Sequence, residues 1–268
     1  MIRIRCSGLP MYLDCPRRSA CNLFDDQIAD AGFHISKRPV GVAAAVGTGT
    51  HDGAAYIAEN LIRTESRGKL EHATERAIVK YRDQIAAGVE FDDTTPNNNH
   101  AEKQISTLTR SYFHEIAPRL NLVNGEVEQY LKAQINNFMV SGHVDLADDR
   151  QVRDLKTGRV GSYHAQVGGY SLVRRSNGAP APTEIFIDYL PRVPISKPYP
   201  GAAVQEYNVS VCEKAAFETI KIIQRDVNNF ISSGGNEWAF PANPKSSLCS
   251  PRYCAAWGSD FCALGGSK

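Results

Sequence analysis

The patterning of this chain predicts an α/β (or α+β) fold: a central mixed β-sheet flanked by helices, with a helical N-terminal portion and a cysteine-rich C-terminal tail. Three observations carry the prediction. Apolar residues recur at helical spacing as far as about residue 120. After Asn121 the texture changes to short alternating or apolar bursts, as strands show. From Ser233 onward neither pattern holds, and three cysteines fall close together. The expected organisation is one domain over residues 1–268, with a mainly helical part (1–120), a sheet core (121–232) and a tail (233–268).

Taken in order, Ser7 to Phe24 reads as a short helix with Ser7 as candidate N-cap and Leu9, Leu13, Ala20 and Leu23 as apolar positions. Pro10 and Pro16 lie inside it, which predicts a late start or a kink. A Gly-, Pro- and Lys-containing loop follows, from Gly32 to Gly41. Thr48 or Thr50 then caps a helix to about Thr64, whose Ala54, Ile57, Ala58 and Leu61 share one face. Leu70 to Ala87 is a further helix. The polar run Asp92 to Asn99 breaks the chain before a helix from His100 to Ala117, which Pro118 helps to stop.

The strands come next. Glu126 to Leu131, Phe138 to Leu146 and Gln151 to Leu155 are predicted as three, the last two joined by the turn-prone Asp148-Asp149. A helix from Ser162 to Arg174 and a strand from Glu184 to Leu190 follow. Val204 to Val211 reads as a fifth strand, opposite the fourth across a Pro-rich loop. Lys214 to Ser232 is the last long helix. Helices followed by a meander, a helix, more strands and a helix make a mixed sheet with helices around it.

Thirty basic residues against 29 acidic ones leave a formal charge of +1. A polynucleotide partner is therefore not announced by overall charge, and a local basic surface or a metal-lined cleft would have to meet it. An enzyme of small molecules stays open on this count. No run of 18 apolar residues predicts a membrane span, and the N-terminus lacks the apolar core of a secretory signal. The expectation is a cytoplasmic protein with reduced thiols. Seven cysteines, an odd number, argue against a disulfide framework there.

The chemistry concentrates in Gly142-His143-Val144-Asp145 and Asp154-Leu155-Lys156-Thr157-Gly158. Residues i and i+2 of a strand share a face, so Asp154 and Lys156 project together. Carboxylates are hard oxygen ligands suited to Mg²⁺ or Mn²⁺. A lysine beside them can stabilise developing negative charge. Taken alone, an Asp-x-Lys pair is more often a solvated ion pair of little worth.

Gly-x-x-Asp, a short gap, Asp-x-Lys-Thr-Gly and then Gln166-x-x-x-Tyr170 on the following helix together resemble the PD-(D/E)XK nuclease superfamily. More narrowly they resemble its RecB-type branch, which includes nuclease domains of recombination helicases and CRISPR-adaptation nucleases. The resemblance spans about Ser7 to Cys262. It implies that Asp145 and Asp154 bind a divalent metal, that Lys156 is catalytic, and that Gln166 and Tyr170 border the site. Gly47-Thr48-Gly49-Thr50-His51 resembles the family's Gly-x-x-x-His segment, which makes His51 a further ligand. A glutamate on the preceding strand is implied as well; Glu126 and Glu128 both qualify, and Glu128 is favoured because Tyr130 and Leu131 follow it into the sheet. His143 shares a face with Asp145 and would border the cleft without a ligand role. His164 reads as an exposed helix residue.

Cys249, Cys254 and Cys262 close the chain, and Cys15 opens it within Cys15-Pro16-Arg17-Arg18. Four thiolates can hold zinc or a [4Fe–4S] cluster. The split of one N-terminal and three C-terminal cysteines resembles the iron–sulfur version of the RecB-type fold, although that family's C-terminal gaps are shorter. Cys21 could replace Cys15, while Cys6 and Cys212 read as structural. Trp257 and Tyr253 would pack around the bound group. The resemblance implies a DNA exonuclease acting on ends or single strands in recombination, repair or phage DNA processing. The alternatives are a binding subunit that has lost catalysis, or a small-molecule phosphohydrolase. Arg17, Arg18 and Arg159, with Arg153, Arg174 and Arg175, are candidate phosphate contacts. No Walker-type loop occurs, so a recombinase, helicase or other ATP-driven partner would be a separate chain.

Overall fold

A computed structural model describes residues 2–36, 38–158 and 160–264. It contains a six-stranded mixed sheet with helices packed on both faces. The strands are β1 (Arg3–Arg5), β2 (Glu126–Ile135), β3 (Phe138–Ala147), β4 (Gln151–Lys156), β5 (Glu184–Tyr189) and β6 (Ala203–Tyr207). The helices are α1 (Leu9–Asp14), α2 (Pro16–Leu23), α3 (Asp25–Asp30), α4 (Val42–Thr64), α5 (Leu70–Ile85), α6 (Asn98–Ser111), α7 (His164–Ser176) and α8 (Val209–Ser232). Among the described residues no helix is long and apolar enough to cross a membrane.

The order β1-β3-β4-β5-β6 includes two parallel pairs, β1 with β3 and β4 with β5. β2 pairs antiparallel along the length of β3. It occupies one edge of β3, so β1 and β4 must share the other, β1 at Met139–Ser141 and β4 at Leu146 and Ala147. The stretch of β3 between them, residues 142–145, is left without a backbone neighbour on that side.

One core lies between the sheet and α1, α2, α3, α7 and α8, and includes Val140, Val152, Ile187, Ile220 and Phe230. A second gathers α4, α5 and α6 around Ile57, Tyr81, Ile105 and Leu155. Sheet residues enter both, so burial on two faces holds the strands in register.

Four expectations need correction. The N-terminal helix is two helices, because Cys15 adopts extended backbone (φ −150°, ψ 98°) and Pro16 starts α2 at a position that needs no N–H. Helix α4 begins at Val42, so Thr48 and Thr50 lie inside it and neither caps it. The glycines of this helix serve close packing: a Cβ on Gly49 would meet the Ala77 carbonyl oxygen at 2.6 Å, and one on Gly53 the Ala73 oxygen at 3.0 Å. The strand expected to reach Val211 stops at Tyr207, where the Asn208 side chain accepts from Val211 N and caps α8. Finally, Arg3–Arg5 forms a short strand that three residues of sequence do not announce.

Candidate active site and cysteine pocket

The sheet opens where the chemistry sits. β3 and β4 are paired at Leu146–Arg153 and Ala147–Val152. One step further, at Asp145 and Asp154, the ladder parts. The Leu155 N–H that would otherwise lack a partner donates to Asp145 Oδ2 at 2.7 Å. On the other edge, Glu128 is the residue of β2 level with Asp145, bracketed by the pairs Val127–Leu146 and Gln129–Val144. Glu128 has φ +49°, the left-handed region, which interrupts the ladder at that level. Three carboxylates on three strands therefore meet at one level of the sheet.

His51 comes to them from α4, with Nδ1 3.2 Å from Asp145 Oδ1. Ligand atoms of His51, Glu128 and Asp145 all lie within 4.8 Å of one another, a set able to hold a metal ion. Of the two candidate glutamates it is thus Glu128 that reaches this point, whereas Glu126 pairs with Arg174 at 2.8 Å. Asp154 stands beside this triad. Its Oδ2 is 2.6 Å from Lys156 Nζ, and its Oδ1 accepts from Gln166 Nε2 at 2.9 Å. Gln166 Nε2 also donates to Tyr170 Oη at 2.7 Å, which leaves the phenol O–H free to donate elsewhere. His51, Asp145, Asp154, Lys156, Gln166 and Tyr170 line one open cleft of about 880 Å³.

Burial alone would lower the His51 pKa, but the Asp145 carboxylate outweighs it and raises the imidazole to about 9. For Asp145, burial pushes upward, yet His51 and then Lys156 hold the carboxyl below its ordinary value. Burial, and then the Asp145 charge, raise Glu128 to about 7. Burial also dominates at Asp154, raising it to about 6 against the pull of Lys156. Burial works against charge on Lys156, but Asp154 and Asp145 overcome it and raise its pKa. Three carboxylates against one lysine and one histidine is an arrangement that a divalent cation would balance.

The arginine expectations fare differently. Arg17 is buried and donates to the Phe240 and Glu237 carbonyls at 3.0 and 2.9 Å, with its guanidinium 4.7 Å from the Trp238 ring centroid. Arg18 is also buried, paired with Asp14 at 2.9 Å and donating to Ser246 Oγ. Neither faces a cleft that could hold DNA, and both fasten the tail to α2. Arg153 makes a buried bidentate pair with Asp188 at 3.0 and 2.6 Å. Arg175 pairs with Glu213 at 2.8 Å, and Arg174 is taken by Glu126. Arg159 lies outside the described residues. His164 is half-buried, not exposed, stacked on Tyr207 with ring centroids 4.2 Å apart.

Cys15, Cys249, Cys254 and Cys262 line one small pocket with Ala242, Pro244 and Leu264. Cys15, at the break between α1 and α2, is buried there, and its Sγ accepts from Asn243 N at 3.4 Å. Cys21 sits differently: its thiol donates to the Arg17 carbonyl and is buried, which raises its pKa to about 12. Burial likewise raises Cys6 and Cys212 to about 12, so both are inert core thiols. Tyr253 does not pack around the pocket. It is half exposed, with the Arg252 guanidinium 5.4 Å from its ring centroid.

The fold is shared with a crystal structure from Eubacterium rectale described as a candidate exonuclease. It matches over 92% of this chain and 86% of that one, with a TM-score of 0.51 and 11% identity. At that identity the likeness shows the fold alone. The crystal structure of SSO0001 matches over 74% of this chain and 83% of that one at 12% identity, with a TM-score of 0.25, too low to bear on the fold. No protein-family model matches the chain. No curated protein matches it significantly.

Proposed function

We propose that the chain is a divalent-metal-dependent nuclease of the RecB-type branch of the PD-(D/E)XK superfamily, removing nucleotides from DNA ends or single strands. One observation carries the reading: His51, Glu128 and Asp145 converge within 4.8 Å, and His51 and Asp145 line one open cleft with the Asp154–Lys156 pair. The fit is chemical as well as geometric, since the donor set is one imidazole nitrogen with carboxylate oxygens, suited to Mg²⁺ or Mn²⁺. In this reading His51, Glu128 and Asp145 hold the ion, with Asp154 alongside. When bound, such an ion acts as a Lewis acid toward a phosphoryl oxygen. Lys156, held charged by Asp154 and Asp145, donates to the phosphate as negative charge builds. Gln166 fixes the Asp154 carboxylate in place, and the free Tyr170 O–H faces the same cleft.

The four-cysteine pocket is proposed to hold a [4Fe–4S] cluster. Four thiols on one pocket support a four-thiolate site. The preference for a cluster over a single zinc comes from the resemblance, through the split of one N-terminal and three C-terminal cysteines. The Asn243 N–H donates to Cys15 Sγ, a bond that would stabilise a ligating thiolate. The role would be to close the tail onto α2, away from the reaction.

The test is cleavage of 5′- and 3′-labelled single- and double-stranded DNA by anaerobically purified protein, with Mg²⁺ and with Mn²⁺. Stepwise shortening that Lys156→Ala abolishes is the expected result. A wild-type protein that cuts no polynucleotide with either ion overturns the reading.

A further inference from the structure

The sheet face that leads away from the metal-binding triad carries a regular ladder of side chains. α4 covers the catalytic level through His51, whereas at the next levels the side chains of β2 and β1 on this face are exposed, with Ser141 of β3 buried between them. Two residues along from Glu128 and Asp145, Tyr130 is paired with His143. Their rings lie 4.8 Å apart between centroids, Tyr130 is 51% exposed, and His143 is exposed as well. Two residues further, Lys132 is level with Ser141, and Ser141 with Arg5. At the next level Gln134 meets Met139, and Met139 meets Arg3. Residues in register share a face, so Arg3, Arg5 and Lys132 project on the same side as Tyr130 and His143. The burial of Ile4 between two exposed arginines agrees with that alternation.

We infer that this face is the track for a single-stranded polynucleotide leading to the active site, with Tyr130 and His143 as a stacking platform and Arg5, Lys132 and Arg3 as phosphate contacts. The inference rests on the nuclease reading above and gives it a substrate class. Three features argue for a single strand over a duplex or a protein. The levels are spaced by two strand residues, ~6.8 Å, comparable to the phosphate separation in an extended single strand. Tyr130, with the His143 ring tilted 42° against it, offers an exposed aromatic face of the kind on which an unpaired base stacks. Among the described residues, no acidic side chain pairs with Arg3, Arg5 or Lys132, whereas Arg17, Arg18, Arg153, Arg174 and Arg175 are all engaged. The track is also continuous with the site, since Arg3, Arg5, Tyr130, His143 and Asp145 line the same cleft. Asp25 and Asp26 line that cleft too and would turn a phosphate backbone toward β3.

The test measures binding apart from cleavage. Fluorescein-labelled oligothymidylate of 12 nucleotides is titrated with full-length Asp154→Asn protein and Mn²⁺, and its anisotropy is followed at several salt concentrations. Adding Arg3→Glu and Arg5→Glu together should weaken binding at least tenfold and flatten the salt slope by roughly 1.5. Tyr130→Ala should weaken it about tenfold, and Tyr130→Phe should restore it, because a phenyl ring still stacks. Circular dichroism checks that each exposed substitution leaves the fold intact. If the wild type cuts this oligonucleotide but the face variants bind as tightly as Asp154→Asn alone, the track is overturned and the nuclease reading stands. If a blunt duplex of equal length binds as well and loses affinity by the same factors, the single-strand assignment is overturned. Should Asp154→Asn bind no polynucleotide and the wild type cut none, both readings fall together.

Discussion

Glu128 stands level with Asp145 across the β2–β3 ladder, and it does so in a left-handed backbone conformation, φ +49°. Like charges opposite one another weaken a sheet, and a non-glycine residue in this region adds strain of about 1 kcal/mol. Both costs vanish in Glu128→Gly. That variant should be more stable than wild type without divalent metal, by about 0.5–1 kcal/mol, while binding Mn²⁺ at least tenfold more weakly. Thermal melts with and without Mn²⁺ check both halves. A metal-free melting temperature below that of wild type would show that Glu128 supports the fold and not a ligand.

Gly142 opens the Gly-x-x-Asp segment, and its lack of a side chain has a local reason. A Cβ there would lie 2.5 Å from Tyr170 Cε1 and 2.8 Å from Cδ1. Gly142→Ala should therefore push Tyr170 off Gln166, and through Gln166 loosen Asp154. The expected outcome is a loss of at least tenfold in kcat with Mn²⁺ affinity within threefold of wild type, read by steady-state kinetics and by calorimetric titration.

That glycine also shows how much of the site the sequence made legible. Asp154 and Lys156 were readable together because strand alternation puts i and i+2 on one face. Asp145 was legible only if its strand formed a hairpin with the next, and Gln166 and Tyr170 only through the family resemblance. The central strands and the helices from Leu70 to Ala117 were readable from their periodicity. The arginines were not, because a guanidinium in a Cys-Pro-Arg-Arg run looks the same whether it meets phosphate or the carbonyls of a distant tail. The start of α4 was hidden too: Thr48 and Thr50 look like N-caps, and the close packing of Gly49 against Ala77 of α5 is visible only in the fold. β1 was missed since three residues carry no period, yet it supplies Arg3 and Arg5.

Asp148 should control part of the acid limb of stability. Its Oδ1 accepts from the N–H groups of Arg150 and Gln151, and its Oδ2 from Val123 N–H and Gln151 Nε2. Burial pushes its pKa up, but these donors outweigh it and hold the carboxyl below its ordinary value. A depressed folded-state pKa contributes stability that is present above the unfolded value of ~4 and fades as pH falls through the folded value. Asp148→Asn sets an NH₂ group against donors, so it should cost about 1.5–3 kcal/mol at pH 7. The gap from wild type should narrow below pH 4. Urea unfolding between pH 2 and pH 7 measures it, and a gap independent of pH would overturn the assignment.

Metal binding should release protons. His51, raised to about 9, carries a proton at pH 7 that a ligand nitrogen must lose, and Glu128, raised to about 7, carries part of another. Between one and two protons should therefore leave per Mn²⁺ at pH 7, and affinity should rise from pH 6 to pH 9. Calorimetry in buffers of different ionisation enthalpy counts them directly. In His51→Ala the count should fall by about one. Release of no protons by the wild type would remove His51 from the ligand set.

Arg17 separates a structural from a DNA-binding role for the Cys15-Pro16-Arg17-Arg18 segment. Its two hydrogen bonds to the Phe240 and Glu237 carbonyls bridge α2 to the tail, over the Trp238 ring. Hydrogen bonds from a charged donor contribute about 1.5–3 kcal/mol. Arg17→Ala also leaves two carbonyls short of partners beside the cysteine pocket. The expected result is a destabilisation of about 3 kcal/mol, earlier proteolysis after Ser233, and faster loss of any iron held by the cysteines. Affinity of the folded variant for oligothymidylate should stay within twofold of wild type, because the Arg17 guanidinium is turned toward the tail and away from the cleft. A variant that keeps its stability and loses DNA affinity would return Arg17 to the phosphate contacts and require the tail to be fastened by the cysteines alone.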